Sequence, residues 1–95
     1  MMLDCIGCTS NVVYIDRAQK KIFVANAGDS RCVMGRAGGA VEMSIDHKPE
    51  NEVEIDRITK SGSVITEGRV DGNLNLTRSL GDLKYKHRPN LTPEE

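Results

Sequence analysis

Val24-Ala25-Asn26-Ala27-Gly28-Asp29-Ser30-Arg31 runs from an apolar strand into a polar corner, and the rest of the chain is arranged about it. Residues Ile22 to Ala27 are almost wholly apolar, with β-branched Ile22 and Val24 and the aromatic Phe23. A short apolar run closed by a glycine reads as a strand buried on both faces. Gly28 then allows a turn that a Cβ would obstruct. Asp29 follows at the mouth of the strand. A carboxylate fixed by a rigid strand end suits a hard cation. It equally suits a local cap, in which the Asp29 side chain bonds its own backbone. On these residues alone the cap is the simpler reading.

Ninety-five residues hold at most one domain and a modest core. The aromatic residues are Tyr14, Phe23 and Tyr85, so the core must be built from aliphatic side chains. Charges nearly balance, with a formal net charge of -1. That balance argues against binding nucleic acid by neutralising phosphates. No apolar run approaches membrane-spanning length. The start, Met1-Met2-Leu3-Asp4, lacks the basic flank and apolar stretch of a signal peptide. The expectation is a soluble, intracellular protein, cytoplasmic with the nucleus also open, and without nucleic-acid or membrane partners.

Cys5 and Cys8 form a C-x-x-C pair, which can be half a zinc site or a redox motif. Zinc needs two more ligands, and Cys32, His47 and His87 are scattered. A redox pair needs a helix behind it, and β-branched residues follow instead. Small buried side chains in a reducing compartment are the favoured account.

The order of elements is that of an antiparallel protein. Asn11 to Ile15 and Lys21 to Ala27 read as a hairpin across the polar residues 16–21. Arg31 to Met34 resumes the extended chain, 36–39 is a turn, and Ala40 to Ile45 alternates as a half-buried strand. Asp46-His47-Lys48-Pro49 breaks the pattern. Glu50 to Ser61 is the one convincing helix: acidic at its start, Lys60 at its end, and Gly62 in the C′ position. Glu54 with Arg57 and Asp56 with Lys60 stand at pairing distance along it. Val53, Ile55 and Ile58 form only a narrow stripe, so the helix lies on a surface. Val64 to Thr66 is another short strand, and Asp71-Gly72 between extended flanks is the strongest hairpin signal. Thr77 to Asp82 forms a second polar corner, and Arg88 to Glu95 is a polar tail expected to fray.

Taken together, Gly7-Cys8-Thr9, Ala25 to Arg31, Asp46-His47-Lys48-Pro49, Glu54 with Arg57-Ile58, Arg69 to Leu74, and Thr77 to Asp82 stand in one order. That series resembles the metal-dependent protein serine/threonine phosphatases of type 2C, over residues 7–86. The resemblance implies an α+β fold, part of an α-β-β-α sandwich of mainly antiparallel strands with one surface helix at about 50–61. It implies residues 1–95 as part of the catalytic domain, with 46–73 as a flap-like segment beside the substrate groove. It implies Mn²⁺ or Mg²⁺, and phosphoprotein substrates hydrolysed at phosphoserine and phosphothreonine.

The family's Gly-Asp-Ser-Arg aspartate corresponds to Asp29 and can bind an additional, weaker metal ion; Thr9 supports the same region. Arg78, Gly81 and Asp82 match a motif read as architectural. The family's two core metals are held by an upstream aspartate-glycine pair and by downstream aspartates, and the upstream part also supplies the phosphate-binding arginine. None of these positions falls in this chain, and Asp71-Gly72 lies in the flap-like segment instead. Asp29 is therefore the one metal residue assigned, no catalytic residue is assigned, and the chain alone is expected to be inactive. The alternative is a non-catalytic interaction protein that self-associates through uncovered sheet faces and edges.

Overall fold

The computed structural model describes residues 2–92 and 94–95. Met1, with which the sequence opens, and Pro93, in the tail expected to fray, lie outside the described residues. The chain is α+β, with antiparallel strands and one α-helix among the described residues. The strands are β1 (Gly7–Cys8), β2 (Ser10–Asp16), β3 (Lys21–Ala27), β4 (Val33–Arg36) and β5 (Gly39–Glu42). Helix α1 (Glu52–Lys60) follows, then β6 (Ile65–Thr66), β7 (Arg69–Val70) and β8 (Leu80–Gly81). Among the described residues they pair two by two: β1 with β8, β2 with β3, β4 with β5, and β6 with β7.

The β2–β3 hairpin is the longest ladder, in register from Ser10 opposite Ala27 to Asp16 opposite Lys21. Its turn is held by the Asp16 carboxylate, which accepts from the Gln19 amide at 3.0 Å. Period-two alternation puts Tyr14 beside Phe23, their ring centroids 6.1 Å apart, and Val13 beside Val24 on the opposite face. The strand forms where the apolar run lies, but the burial expected of it does not follow. Ile22 is 44% exposed and Phe23 50%, and across the ladder Tyr14 and Ile15 are exposed too. Among the described residues no third strand pairs with this ladder, and most of its side chains stay exposed, while the end of β3 at Val24, Asn26 and Ala27 is half-buried. The strand expected over 40–45 ends at Glu42 and is exposed along its length. Met43 still donates its amide to Cys32 O, but Ser44 instead turns its Oγ to the Cys32 amide.

Helix α1 starts two residues later than the expected Glu50. Asn51 is its cap, the side chain accepting from the Val53 amide at 3.0 Å, with Glu52 and Glu54 in the first turn. At the other end Gly62 takes φ 97°, and the Ser63 and Gly62 amides reach back to the Ile58 and Thr59 carbonyls. That pattern is a Schellman closure, which satisfies carbonyls the helix leaves open. The inner face differs from the expected stripe. Val53 is 71% exposed, while Ile58 and the carboxylate of Glu54 are buried. Ile58 and Val70 are the buried apolar residues of a small core beside Ser63 and Thr77.

The hairpin signal at Asp71-Gly72 marks a real but smaller turn. It closes a single bridge between Val70 and Leu74, whose backbones exchange bonds of 2.8 and 3.1 Å. The β6–β7 ladder instead turns at Glu67-Gly68, where both residues have positive φ. Glutamate hid that turn from the sequence, because it rarely adopts the left-handed conformation.

Candidate functional site

The corner after β3 is built on Gly28, which is buried with φ 120°. A Cβ there would stand 2.5 Å from Thr9 Cγ2 and 3.1 Å from the Arg78 carbonyl oxygen. Glycine lets the end of β3 pass between two other segments, and Asp29 emerges on the far side. Thr9 Oγ1 and Ser30 Oγ lie 2.6 Å apart, so Thr9 sits at the corner as expected. Asn26, the last polar residue of β3, donates from Nδ2 to Ile45 O at 2.9 Å and to Gly28 O at 3.2 Å. Its Oδ1 accepts from Asn11 at 3.0 Å.

Residues 46–48 then dock against this corner one after another. Asp46 takes a two-pronged bond from Arg31, Nε to Oδ1 at 3.1 Å and Nη2 to Oδ2 at 2.7 Å. That bond holds the Asp46 carboxyl below the usual carboxylate range. His47 grips Gly28 twice. Its amide donates to Gly28 O at 2.9 Å, and its ring Nδ1 accepts from the Gly28 amide at 3.0 Å. The ring therefore carries its proton on Nε2. Lys48 Nζ stands 3.7 Å from Asp29 Oδ2.

A second layer of polar contacts ties His47 to the helix. The Thr77 amide donates to His47 O at 3.0 Å, and Arg57 Nη2 donates to Thr77 O at 2.6 Å and to Glu54 Oε2 at 2.8 Å. Arg78 reaches the same carboxylate, Nε to Oε1 at 3.1 Å and Nη2 to Oε1 at 3.0 Å. Burial alone would push the Glu54 carboxyl up, but the hydrogen bonds from Arg78 and Arg57 outweigh it and hold it low. The sequence showed Glu54 and Arg57 only as a surface pair at i, i+3. That Glu54 is an inward hub shared with Arg78 depends on a contact 24 residues apart. Likewise His47 read as one letter of a four-residue motif, and nothing in its neighbours announced the bond to Gly28.

Burial pushes the His47 imidazole below its ordinary range; Glu54 and Asp46 oppose this, while Arg78 and Arg57 reinforce it. The sign follows from the folded value lying beneath the unfolded one. As pH falls below about 6.5 the unfolded chain takes up a proton that the folded chain refuses, so stability declines until the folded value is reached. Denaturant titration at pH 7.5 and pH 5.5 is expected to show a lower midpoint in acid. In His47→Asn, whose Oδ1 can accept from Gly28 but does not titrate, that acid loss should shrink. An equal loss in both proteins would assign it elsewhere.

A hard divalent cation takes about six oxygen ligands. Asp29 offers one carboxylate, already facing the Lys48 ammonium, and no group of three His, Cys, Asp or Glu able to hold a metal occurs among the described residues. The residues present do not by themselves fit Mn²⁺ or Mg²⁺. The cysteines are free but not buried as expected: Cys5 and Cys8 are exposed, because the two-residue β1 beside them is itself uncovered, and Cys32 is half-buried.

This corner, the docked segment 46–48 and the return at 77–82 follow the order in which the motifs stand in the sequence. The family described as Protein phosphatase 2C matches residues 2–94. The chain belongs to the protein phosphatase 2C family. It is 54% identical over 89 residues to Probable protein phosphatase 2C 11 of Oryza sativa subsp. japonica, a match that covers 94% of this chain and 24% of that protein. It is 56% identical over 88 residues to Protein phosphatase 1G of Homo sapiens, covering 92% of this chain and 16% of that protein. Among solved structures it resembles a phosphatase from a pathogenic strain of Toxoplasma gondii, with a TM-score of 0.66 and 27% identity over 95% of this chain and 39% of that one. This family member thus spans about a quarter or less of those two sequence relatives. Its Gly81 has φ 83° and pairs with Gly7 so closely that a Cβ would collide with the Ile6 carbonyl. No helix among the described residues is long and apolar enough to cross a membrane.

Proposed function

We propose that this chain is a section of an intracellular enzyme that hydrolyses phosphoserine and phosphothreonine in proteins, and that the 95 residues alone are catalytically incompetent. The observation that carries the reading is the corner itself. Asp29 is held at a strand end by Gly28, Thr9 and Ser30, with residues 46–48 clamped beside it. In a complete domain Mn²⁺ or Mg²⁺ would supply the activated water, and Asp29 would be the one ligand this chain offers to an ion. Residues 46–73 would border the groove that takes the phosphoprotein, and the tail 88–95 would fray.

The test is direct. The pure chain is expected to release no phosphate from a phosphothreonine peptide in the presence of Mn²⁺, and to bind Mn²⁺ weakly in calorimetry, with Asp29→Ala weaker still. Metal-dependent turnover would overturn the claim of incompetence, and identical titrations would remove Asp29 from the site.

A second reading is favoured by the β2–β3 hairpin, whose Val12, Val13, Tyr14, Ile15 and Phe23 are all exposed. Uncovered apolar faces and unpaired edges drive association. Light scattering over a range of concentrations is expected to give a mass above that of one chain, and a concentration-independent single-chain mass would exclude self-association.

A further inference from the structure

The chain exposes 7082 Å², where a folded chain of its size ordinarily exposes about 5,400 Å². The surplus, about 1,700 Å², is twice the roughly 800 Å² that one partner gives to a standard interface. The radius of gyration agrees: 15.6 Å, against about 12 Å for a compact chain of this length. Strand β2 carries part of the surplus, with Val12, Val13, Tyr14 and Ile15 exposed in succession.

The outer edge of β2 is open. Residues 10–16 pair with β3 alone, and none of them makes a further backbone bond among the described residues. Exposed edges are ordinarily blunted by lysine, proline or a bulge. Ser10–Asp16 contains no lysine, arginine or proline, and its register against β3 is unbroken. The other strand of the hairpin differs. It carries Lys21 at its start, and near its end Asn26 is occupied by the bond to Ile45 O.

Resting on the self-association reading, we infer that a second copy of this chain pairs with the outer edge of β2, strand against strand, about a two-fold axis at Val13. A two-fold interface must be self-complementary. Alternate residues of an antiparallel strand turn their backbone groups to the same edge, so the axis must pass through a residue. Val13 is the centre that engages all of β2. This register sets Val12 opposite the partner's Tyr14, an aromatic and β-branched pair, and Val13 opposite the partner's Val13. Since Tyr14 already faces Phe23 and Val12 faces Ala25, the row Phe23, Tyr14, Val12, Ala25 then crosses four strands unbroken. The single charge of the strand, Asp16, meets the partner's Ser10, so no like charges oppose each other.

The experiment uses the 95-residue chain. Light scattering gives the mass and the dissociation constant, and isotope-filtered NMR on a mixture of labelled and unlabelled chain reads contacts between copies. A dimer is expected, with filtered contacts from the Val12 methyls to the partner's Tyr14 ring and between the two Val13 side chains. Val13→Lys sets two ammonium groups face to face at the axis and is expected to raise the dissociation constant about tenfold or more. Val41→Lys, at an exposed valine of β5, is the control and should leave it unchanged. A single-chain mass at every concentration would overturn the pairing together with self-association, and would leave the edge to a different chain. A dimer without the Val12–Tyr14 contact, or one equally weakened by both lysines, would overturn the pairing while self-association stands. The filtered contacts are read on the unaltered chain, so they decide the matter even where Val13→Lys does not fold.

Discussion

Glu54→Ala is expected to cost the chain about 3 kcal/mol, a large share of the stability available to a domain this small. The carboxylate is 3% exposed and is the shared acceptor of Arg57 and Arg78. Removing it leaves two guanidinium groups facing each other beside Ile58 and Thr77. Arg57 Nη2 keeps its bond to the Thr77 carbonyl, so one arginine stays pinned in place without its counter-charge. The loss therefore comes more from the stranded cations than from the missing contact. Urea denaturation followed by circular dichroism measures it, and a change under about 1 kcal/mol would show the hub to be dispensable. The acid limb supplies a second check. The Glu54 carboxyl titrates below its ordinary 4.5, so its stabilisation is complete above that pH and disappears as pH falls through the lowered value. Glu54→Gln is expected to be less stable at neutral pH and to have a flatter acid profile.

Gly28→Ala has the second large effect, expected at about 3 kcal/mol through the combination of strain and overpacking. The backbone at φ 120° disfavours any Cβ, and the methyl would meet Thr9 Cγ2 at 2.5 Å and Thr9 Cβ at 2.8 Å. Neither neighbour is the free end of a long side chain. Relief requires the Thr9 and Arg78 segments to move apart, which pulls on the Thr9–Ser30 contact and on both bonds between Gly28 and His47. The amide of Gly28 is the reporter. Its hydrogen exchange is expected to accelerate in the variant well beyond that of amides in the β4–β5 ladder. Uniform acceleration would mean that the whole fold, and not the corner, had loosened.

The secondary structure was largely legible because its signals are local. An apolar run closed by glycine, a polar loop with Asp16 at its start, and a helix with an acidic start and a glycine end each carry their cause within a few residues. The helix began at Glu52 and not at Glu50 because Asn51 supplies the cap, a point that Pro49 obscured. The turn at Glu67-Gly68 was hidden because the residue that adopts positive φ there is a glutamate. Asp29 could be placed at the mouth of β3, and Thr9 beside it, from the order of the motifs. Its neighbour Lys48 could not, because an ion pair between residues 19 apart has no local signature.

By itself the sequence determined the family, the antiparallel α+β class and the residues that punctuate each element, since periodicity, caps and glycines act at short range. Only the tertiary structure decided which face of α1 turns inward, and that Glu54 and His47 tie the corner to the helix. It also decided what the apolar run in β3 meets. Hydrophobicity states that a strand gains by being covered, but the covering surface must come from elsewhere in space, and among the described residues only the end of β3 finds one, while Tyr14, Ile15 and Phe23 stay exposed.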